Sequence, residues 1–449
     1  MQNADSLLNL SPVDGRYASV TQVLRPYFSE FALMKYRVTV EIRYLAQLSK
    51  WNIVRALKSQ EKAVLEKIIA DFSLEDAKRV KIFEAETKHD VKALEYFLKE
   101  KLEKTTLADL LPFVHFGLTS YDTNDLAYGL MLTAAHNAII LPELRTFLKN
   151  MKTMITANID SVMLGKTHGQ AAVPTVFGKE VAVFFVRVKQ YEKKLSTFRF
   201  EGKLNGAVGN YNALEFTFPR VDWIRFSREF IISLGLTPNL VTTQILPCDN
   251  LIEYTGMIGH VNTILIGFCQ DMWIYISSGL IKQKKEKGQI GSSTMPQKIN
   301  PIDFENAEGN LQVANSYFEL YGRKLLISRM QRDLTDSTVK RTIGTALGHT
   351  LLAWKSLERG LNKSVFSKEV GTNELFEHWE VLAEAMQVYM KVYGDEKGYE
   401  KVKDLMMGKR IDEKVFRKMT HAFPALLKLT PASYIGLAIK LTTLALKKK

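Results

Sequence analysis

Apolar residues in this chain recur at intervals of three and four. Leu33, Tyr36, Val40, Tyr44 and Leu48 line one face of a helix. Leu94, Phe97, Leu98 and Leu102 repeat the pattern behind Asp90, a candidate N-cap. Longer periodic stretches cover 125–158 (interrupted by Pro142), 176–203, 249–282, 303–326 and 336–361. Helices of about 25–35 residues exceed the globular average and predict an elongated bundle. Strand-like alternation is scarce, and Asn205-Gly-Ala-Val-Gly-Asn210 reads as a loop or small hairpin. The expectation is an all-α chain of three helical domains: residues 1–110, a central long-helix bundle over 111–362, and 363–449. A bundle this long, with one apolar face per helix, predicts self-association.

Composition narrows the class. The 449 residues are 46% hydrophobic and 24% charged, which is enough apolar material for a large core. No run of about 18 apolar residues exists, so no membrane-spanning helix is expected. The stretch 1–10 lacks a basic start followed by an apolar run, so no secretory signal is expected. Cys248 and Cys269 are too few for a disulfide framework and fit a reducing cytoplasm. The net charge of +13 could attract nucleic acid, a membrane surface or an anionic metabolite. The basic residues are spread along the chain, with small clusters at 282–287 and 447–449. Without zinc-finger spacing or an aromatic RNA-binding signature, most read as solvated helix faces.

Two segments carry candidate chemistry. Gly291-Ser-Ser-Thr-Met-Pro-Gln-Lys-Ile-Asn-Pro301 follows a polar stretch that is poor helix, and reads as a mobile loop expected to close over a ligand. It ends at Pro301, where Asp303 can cap the next helix. A serine acts as a base only if its oxyanion is stabilised, and Gly-Ser-Ser with Lys298 and Asn300 offers backbone amides, a cation and an amide. On residue types alone, a serine-rich linker remains an alternative. The second segment, Lys166-Thr-His-Gly-Gln170 before Pro174-Thr-Val-Phe-Gly-Lys179, reads as a polar turn ahead of a helix. Its imidazole can donate a proton near neutral pH, although a lone histidine is more often structural.

Gly291–Pro301 is similar to the signature GSSxMPxKxNP of the fumarase/aspartase/argininosuccinate lyase superfamily. Every fixed position is matched. Thr167-His-Gly-Gln170 with Pro174–Lys179 resembles the adenylosuccinate lyase branch, whose continuation is PTTxGK, with Val176 in place of the second threonine. So do Ser11-Pro-Val-Asp-Gly-Arg-Tyr17, Thr87-Lys-His-Asp90, Phe116-Gly-Leu-Thr-Ser120, Thr242-Thr-Gln244, and Ser328–Thr338 with Arg341. The resemblance implies Ser292 as catalytic base and His168 as general acid. It implies Arg16 and Tyr17 at the nucleotide phosphate, and Lys88, His89 and Asp90 beside the substrate. Thr119 and Ser120 fall on the succinyl carboxylate, with Gln244, Lys298 and Asn300 as further contacts. Arg332, Ser337, Thr338 and Arg341 become phosphate and base-edge contacts. Gln297 and Cys248 depart from the branch, since histidine is frequent at both positions.

What the resemblance further implies is β-elimination of fumarate from a succinylated purine nucleotide or its aminoimidazole ribotide precursor, with no metal or other cofactor. It implies a cytoplasmic homotetramer with a twenty-helix core and active sites shared among chains, binding neither nucleic acid nor membrane. Two other readings stay in view. One is a lyase acting on argininosuccinate, against which Thr167–Gln170 and the Arg332–Arg341 run argue. The other is a basic helical scaffold that binds nucleic acid in a salt-sensitive way.

Overall fold

A computed structural model describes residues 7–284, 295, 297–393 and 397–447. It is predominantly helical, as the periodicity requires. The principal helices are α1 (Glu30–Lys50), α2 (Ser59–Ala70), α3 (Leu74–Thr87), α4 (Asp90–Glu103), α5 (Ser120–Ala135) and α6 (Leu141–Ala157). These are followed by α7 (Phe177–Ser196), α8 (Trp223–Ser233), α9 (Asp249–Ser277), α10 (Ile302–Lys324), α11 (Thr335–Lys340), α12 (Ile343–Lys363) and α13 (Lys368–Phe376), before shorter C-terminal helices. Among the described residues, strands are confined to three two-stranded pieces. They are the antiparallel β1 (Val162–Thr167) with β2 (Gln170–Val176), the parallel β3 (Glu201–Gly202) with β4 (Thr237–Pro238), and the antiparallel β5 (Ile281–Gln283) with β6 (Ser364–Phe366).

The periodic stretches fall on these helices with local differences. Pro142 does not break its helix. A single π-helical turn, His136–Ile140, carries α5 into α6 just ahead of it, and so accommodates a residue with no N–H to give. The stretch 336–361 is two helices, α11 and α12. Asp303 does not cap α10; its carboxylate accepts from Arg359 and Lys363 instead.

The chain divides into two compact units. One comprises Met1–Glu143, Lys193–His260 and Val313–Leu352. Its core includes Tyr44 of α1, whose ring meets Phe226 and Phe230 of α8 edge-on at 5.9 and 5.8 Å. The Tyr44 hydroxyl donates to the Phe116 carbonyl, so the buried aromatic keeps a polar partner. The other unit comprises Leu144–Glu192, Val261–Gln312 and Ala353–Lys449. There Phe177 stacks on Phe366 at 4.9 Å, and Leu164, Leu375, Trp379, Leu382 and Phe416 share one buried cluster. Among the described residues, no helix is long and apolar enough to cross a membrane.

Candidate active site

His168 sits at the tip of the β1–β2 hairpin, not in a turn leading directly to a helix. Thr167 pairs with Gln170, leaving His168-Gly169 as a two-residue loop. Their φ values of 53° and 73° are those of a type I′ turn, whose twist matches the flanking strands. The register slips between Leu164 and Lys166, close to Pro174, which has no N–H to give the ladder. Lys166 pairs with Glu374 of α13 at 2.7 Å, tying the hairpin down while its tip stays exposed. A cleft of about 610 Å³ opens beside it, lined in part by Lys166, Thr167, Gly169, Glu180, Asp271 and Tyr275. Burial, and then Glu180, raise the Asp271 carboxyl above its ordinary value. Lys298 is exposed and Asn300 half-buried on the segment entering α10. Ser292 and the proposed closing loop lie outside the described residues, apart from Met295 and Gln297 at its end.

In the first unit, Arg16 and Tyr17 close a turn beside a cleft of about 650 Å³. Lys88 ends α3 in a left-handed conformation, φ 56°. His89, not Asp90, caps α4, its Nδ1 accepting from the Lys92 amide at 3.1 Å. Asp90 accepts instead from Arg37 at 2.7 Å. Burial works against the Asp90 charge, but Arg37 outweighs it and holds the carboxyl below its usual range.

Thr119 caps α5 and Ser120 opens it, both half-buried. Asp122 sits one turn in. Its carboxylate accepts from the amides of Thr119, Asn205 and Gly206 at 2.9, 3.0 and 3.1 Å, and pairs with Lys203 at 2.8 Å. Asn205 donates to Thr242, and Gln244 donates to the Ala207 carbonyl at 3.0 Å. The Gln244 carbonyl in turn accepts from Arg332 at 3.3 Å. Three separated segments carrying Thr119–Ser120, Gln244 and Arg332 are thereby brought together. Asp125, on the next turn, accepts from the Leu246 amide at 2.7 Å and from Lys340 at 3.2 Å. Burial opposes the charge on Lys340, yet Asp125 and Asp336 outweigh it and push its pKa up. Ser337 donates to the Leu334 carbonyl, and Arg341 reaches the Ser337 carbonyl from an exposed position next to Thr338. Cys248 is buried, and burial raises its thiol pKa, which makes it a poor nucleophile.

Backbone strain marks the same segments. The non-glycine residues with positive φ among the described ones include His168 and Lys88, besides His115 ahead of Thr119, Tyr211 behind the 205–210 loop, and Met330 two before Arg332. Such conformations persist where surrounding structure enforces them, and they cluster at functional sites. Sequence reasoning missed Tyr121, Asp122, Asp125, Lys203 and Lys340. Only Asp122 carried a signal, as the third residue after a capping threonine.

Residues 15–314 match a family model described as Lyase, and residues 328–435 match Adenylosuccinate lyase C-terminal. The adenylosuccinate lyase of Haemophilus influenzae is 45% identical, covering 97% of this chain and 98% of that protein. That of Escherichia coli K12 is also 45% identical with the same coverage. The chain belongs to the adenylosuccinate lyase family. The adenylosuccinate lyase of Vibrio cholerae, at 46% identity over 449 residues, places the chain in that family again. The fold extends further. A fumarate lyase from Mesorhizobium sp. BNC1 superposes with TM-score 0.78 at 16% identity, covering 95% of this chain and 98% of that one. A 3-carboxy-cis,cis-muconate lactonizing enzyme from Pseudomonas putida gives 0.80 at 18%, covering 96% and 98%.

Proposed function

We propose that this chain cleaves adenylosuccinate to AMP and fumarate, and releases fumarate likewise from the succinyl-aminoimidazole-carboxamide ribotide. The observation that carries this reading is the match of residues 328–435 to the adenylosuccinate lyase C-terminal model, joined to near-complete coverage by relatives of that name. The match includes Arg332, whose guanidinium meets Gln244 at 3.3 Å, so two substrate contacts implied by resemblance stand together.

In the proposed reaction Ser292 removes a proton from Cβ of the succinyl group. Charge spreads into the adjacent carboxylate, where Lys298, Asn300 and backbone amides hold it. His168 protonates the departing nitrogen, and the C–N bond breaks. Thr119 and Ser120 orient the carboxylates. Arg16, Tyr17, Arg332, Ser337, Thr338 and Arg341 take the nucleotide end, while Lys88, His89 and Asp90 border the substrate. Guanidinium forks suit the phosphate.

The proposal includes a cytoplasmic homotetramer built on a twenty-helix core, with each site drawn from several chains and neither nucleic acid nor membrane as partner. It also keeps three helical domains, 1–110, the long-helix bundle 111–362, and 363–449. Absorbance of the purified protein with adenylosuccinate tests the reaction, and an unchanged substrate spectrum rejects it. Ser292→Ala is expected to lower kcat by roughly 10²–10⁴-fold. Size-exclusion chromatography with light scattering tests the tetramer.

A further inference from the structure

Two cations lie against one ring. The Arg332 guanidinium carbon is 4.0 Å from the centroid of Tyr121, and the Lys340 ammonium is 5.5 Å from it. Their surroundings differ. Lys340 is buried between Asp125 at 3.2 Å and Asp336 at 3.5 Å, so its charge is met by acids. Arg332 is half-buried and its hydrogen bond runs to a neutral acceptor, the Gln244 amide. Its buried Nε has no hydrogen-bond partner among the described residues. Asp333 accepts from the amides of Thr335 and Arg329, and Asp336 lies 3.5 Å from Lys340 and beside the Tyr121 hydroxyl; among the described residues no ion pair joins either carboxylate to Arg332.

Tyr121 follows Ser120 in the first turn of α5 and is only 3% exposed, so packing fixes its ring. An aromatic face attracts a guanidinium through its quadrupole without taking up N–H donors. A carboxylate in the same place would neutralise the charge and compete with an incoming anion.

We propose that Tyr121 is a positioning residue that holds Arg332 in place of an acidic partner, leaving the guanidinium charge and its donors for the anionic phosphate of the nucleotide. This rests on the adenylosuccinate reading given above.

The test is a kinetic series on the full-length enzyme: wild type, Tyr121→Phe, Tyr121→Leu, Arg332→Met, and the Tyr121→Leu/Arg332→Met double variant. Tyr121→Phe keeps the face and should hold KM for adenylosuccinate within about twofold, whereas Tyr121→Leu should raise it about tenfold with kcat little changed, the pattern of lost binding. The double variant should be no worse than Arg332→Met, because Tyr121 acts through that arginine. A ring that merely fills space would give additive losses. Should Tyr121→Leu not fold, pentafluorophenylalanine at position 121 keeps the shape while reversing the sign of the ring face, and is expected to raise KM equally. An active wild type whose KM is unmoved by the leucine or fluorinated ring, or additive effects in the double variant, overturns the proposal alone. A wild type that leaves adenylosuccinate intact overturns the function and this proposal with it.

Discussion

Lys203 Nζ lies 2.8 Å from Asp122 Oδ1, and both side chains are fully buried. Two charges taken wholly out of water are tolerated only when further hydrogen bonds complete them. Here the lysine also faces the Asn205 side-chain oxygen at 3.2 Å and the Gly206 carbonyl at 3.4 Å, while the carboxylate collects three backbone amides. The pair thereby ties the cap of α5, which bears Thr119 and Ser120, to the 205–210 loop.

Breaking this pair is expected to be costly and asymmetric. Loss of one partner of a buried pair costs about 3–5 kcal/mol. Lys203→Met leaves the Asp122 carboxylate with its three amide donors, whereas Asp122→Asn leaves a buried ammonium facing neutral acceptors alone and turns a side-chain NH2 toward backbone N–H donors. Asp122→Asn should therefore destabilise more, and the double variant should lose less than the sum of the singles. Urea unfolding of the three proteins measures this. Equal and additive losses would show that the two charges do not depend on one another.

His168 offers a way to separate chemistry from backbone geometry. Its φ of 53° strains most side chains, so alanine there would disturb the turn as well as remove the imidazole. Asparagine tolerates the left-handed region and suits a type I′ turn before glycine. His168→Asn is expected to keep the thermal midpoint while lowering kcat by roughly 10²–10⁴-fold, the usual worth of a general acid. Turnover near the wild-type rate in a folded His168→Asn protein would remove His168 from that role.

The long helices were legible because their apolar faces repeat over many turns. Local features competed with that signal in particular places. The hairpin around His168 was hidden because Pro174 and the register slip interrupt the alternation of β2, and because His168-Gly169 is not one of the Asn-Gly or Asp-Gly pairs that mark such a turn. The α4 cap lies one residue earlier than Asp90 suggested, because His89 can accept the Lys92 amide while Asp90 is drawn to Arg37. Within the candidate site, the motif-borne residues were readable from local sequence. Asp122–Lys203 and Asp125–Lys340 were not, because each joins residues far apart in the chain and the pairing exists only once the loops have met.

His115 should make stability depend on pH. Burial disfavours the imidazolium, but Glu41, 2.7 Å away, with Glu95 and Asp122 beyond it, outweighs that and raises the pKa above the ordinary 6.5. A folded-state pKa above the unfolded one contributes stability that is fully present below pH 6.5 and is lost as pH rises through the raised value. His115→Asn, which suits the φ of 60°, should be less stable than wild type at pH 5.5 by more than at pH 8.5. Thermal unfolding of both proteins across that range checks it, and a pH-independent difference would mean that His115 carries no charge in the fold.

Gly209 and Gly235 form a matched pair for testing how closely the substrate-side loops must approach. Both have positive φ, 85° and 79°. A Cβ at Gly209 would lie 2.1 Å from the Thr242 carbonyl oxygen, whereas one at Gly235 meets nothing within 4 Å. Gly235→Ala should therefore carry only the backbone cost of about 1–2 kcal/mol and leave KM unchanged. Gly209→Ala carries that cost and must also push the 205–210 loop away from Thr242, straining the Asn205–Thr242 and Gln244–Ala207 hydrogen bonds. Because Gln244 also meets Arg332, the displacement should reach the nucleotide end of the site and raise KM several-fold. Denaturant titration and steady-state kinetics on both variants resolve the two effects. Equal stability losses with KM unmoved in both would show that contact between these loops does not set the position of Gln244.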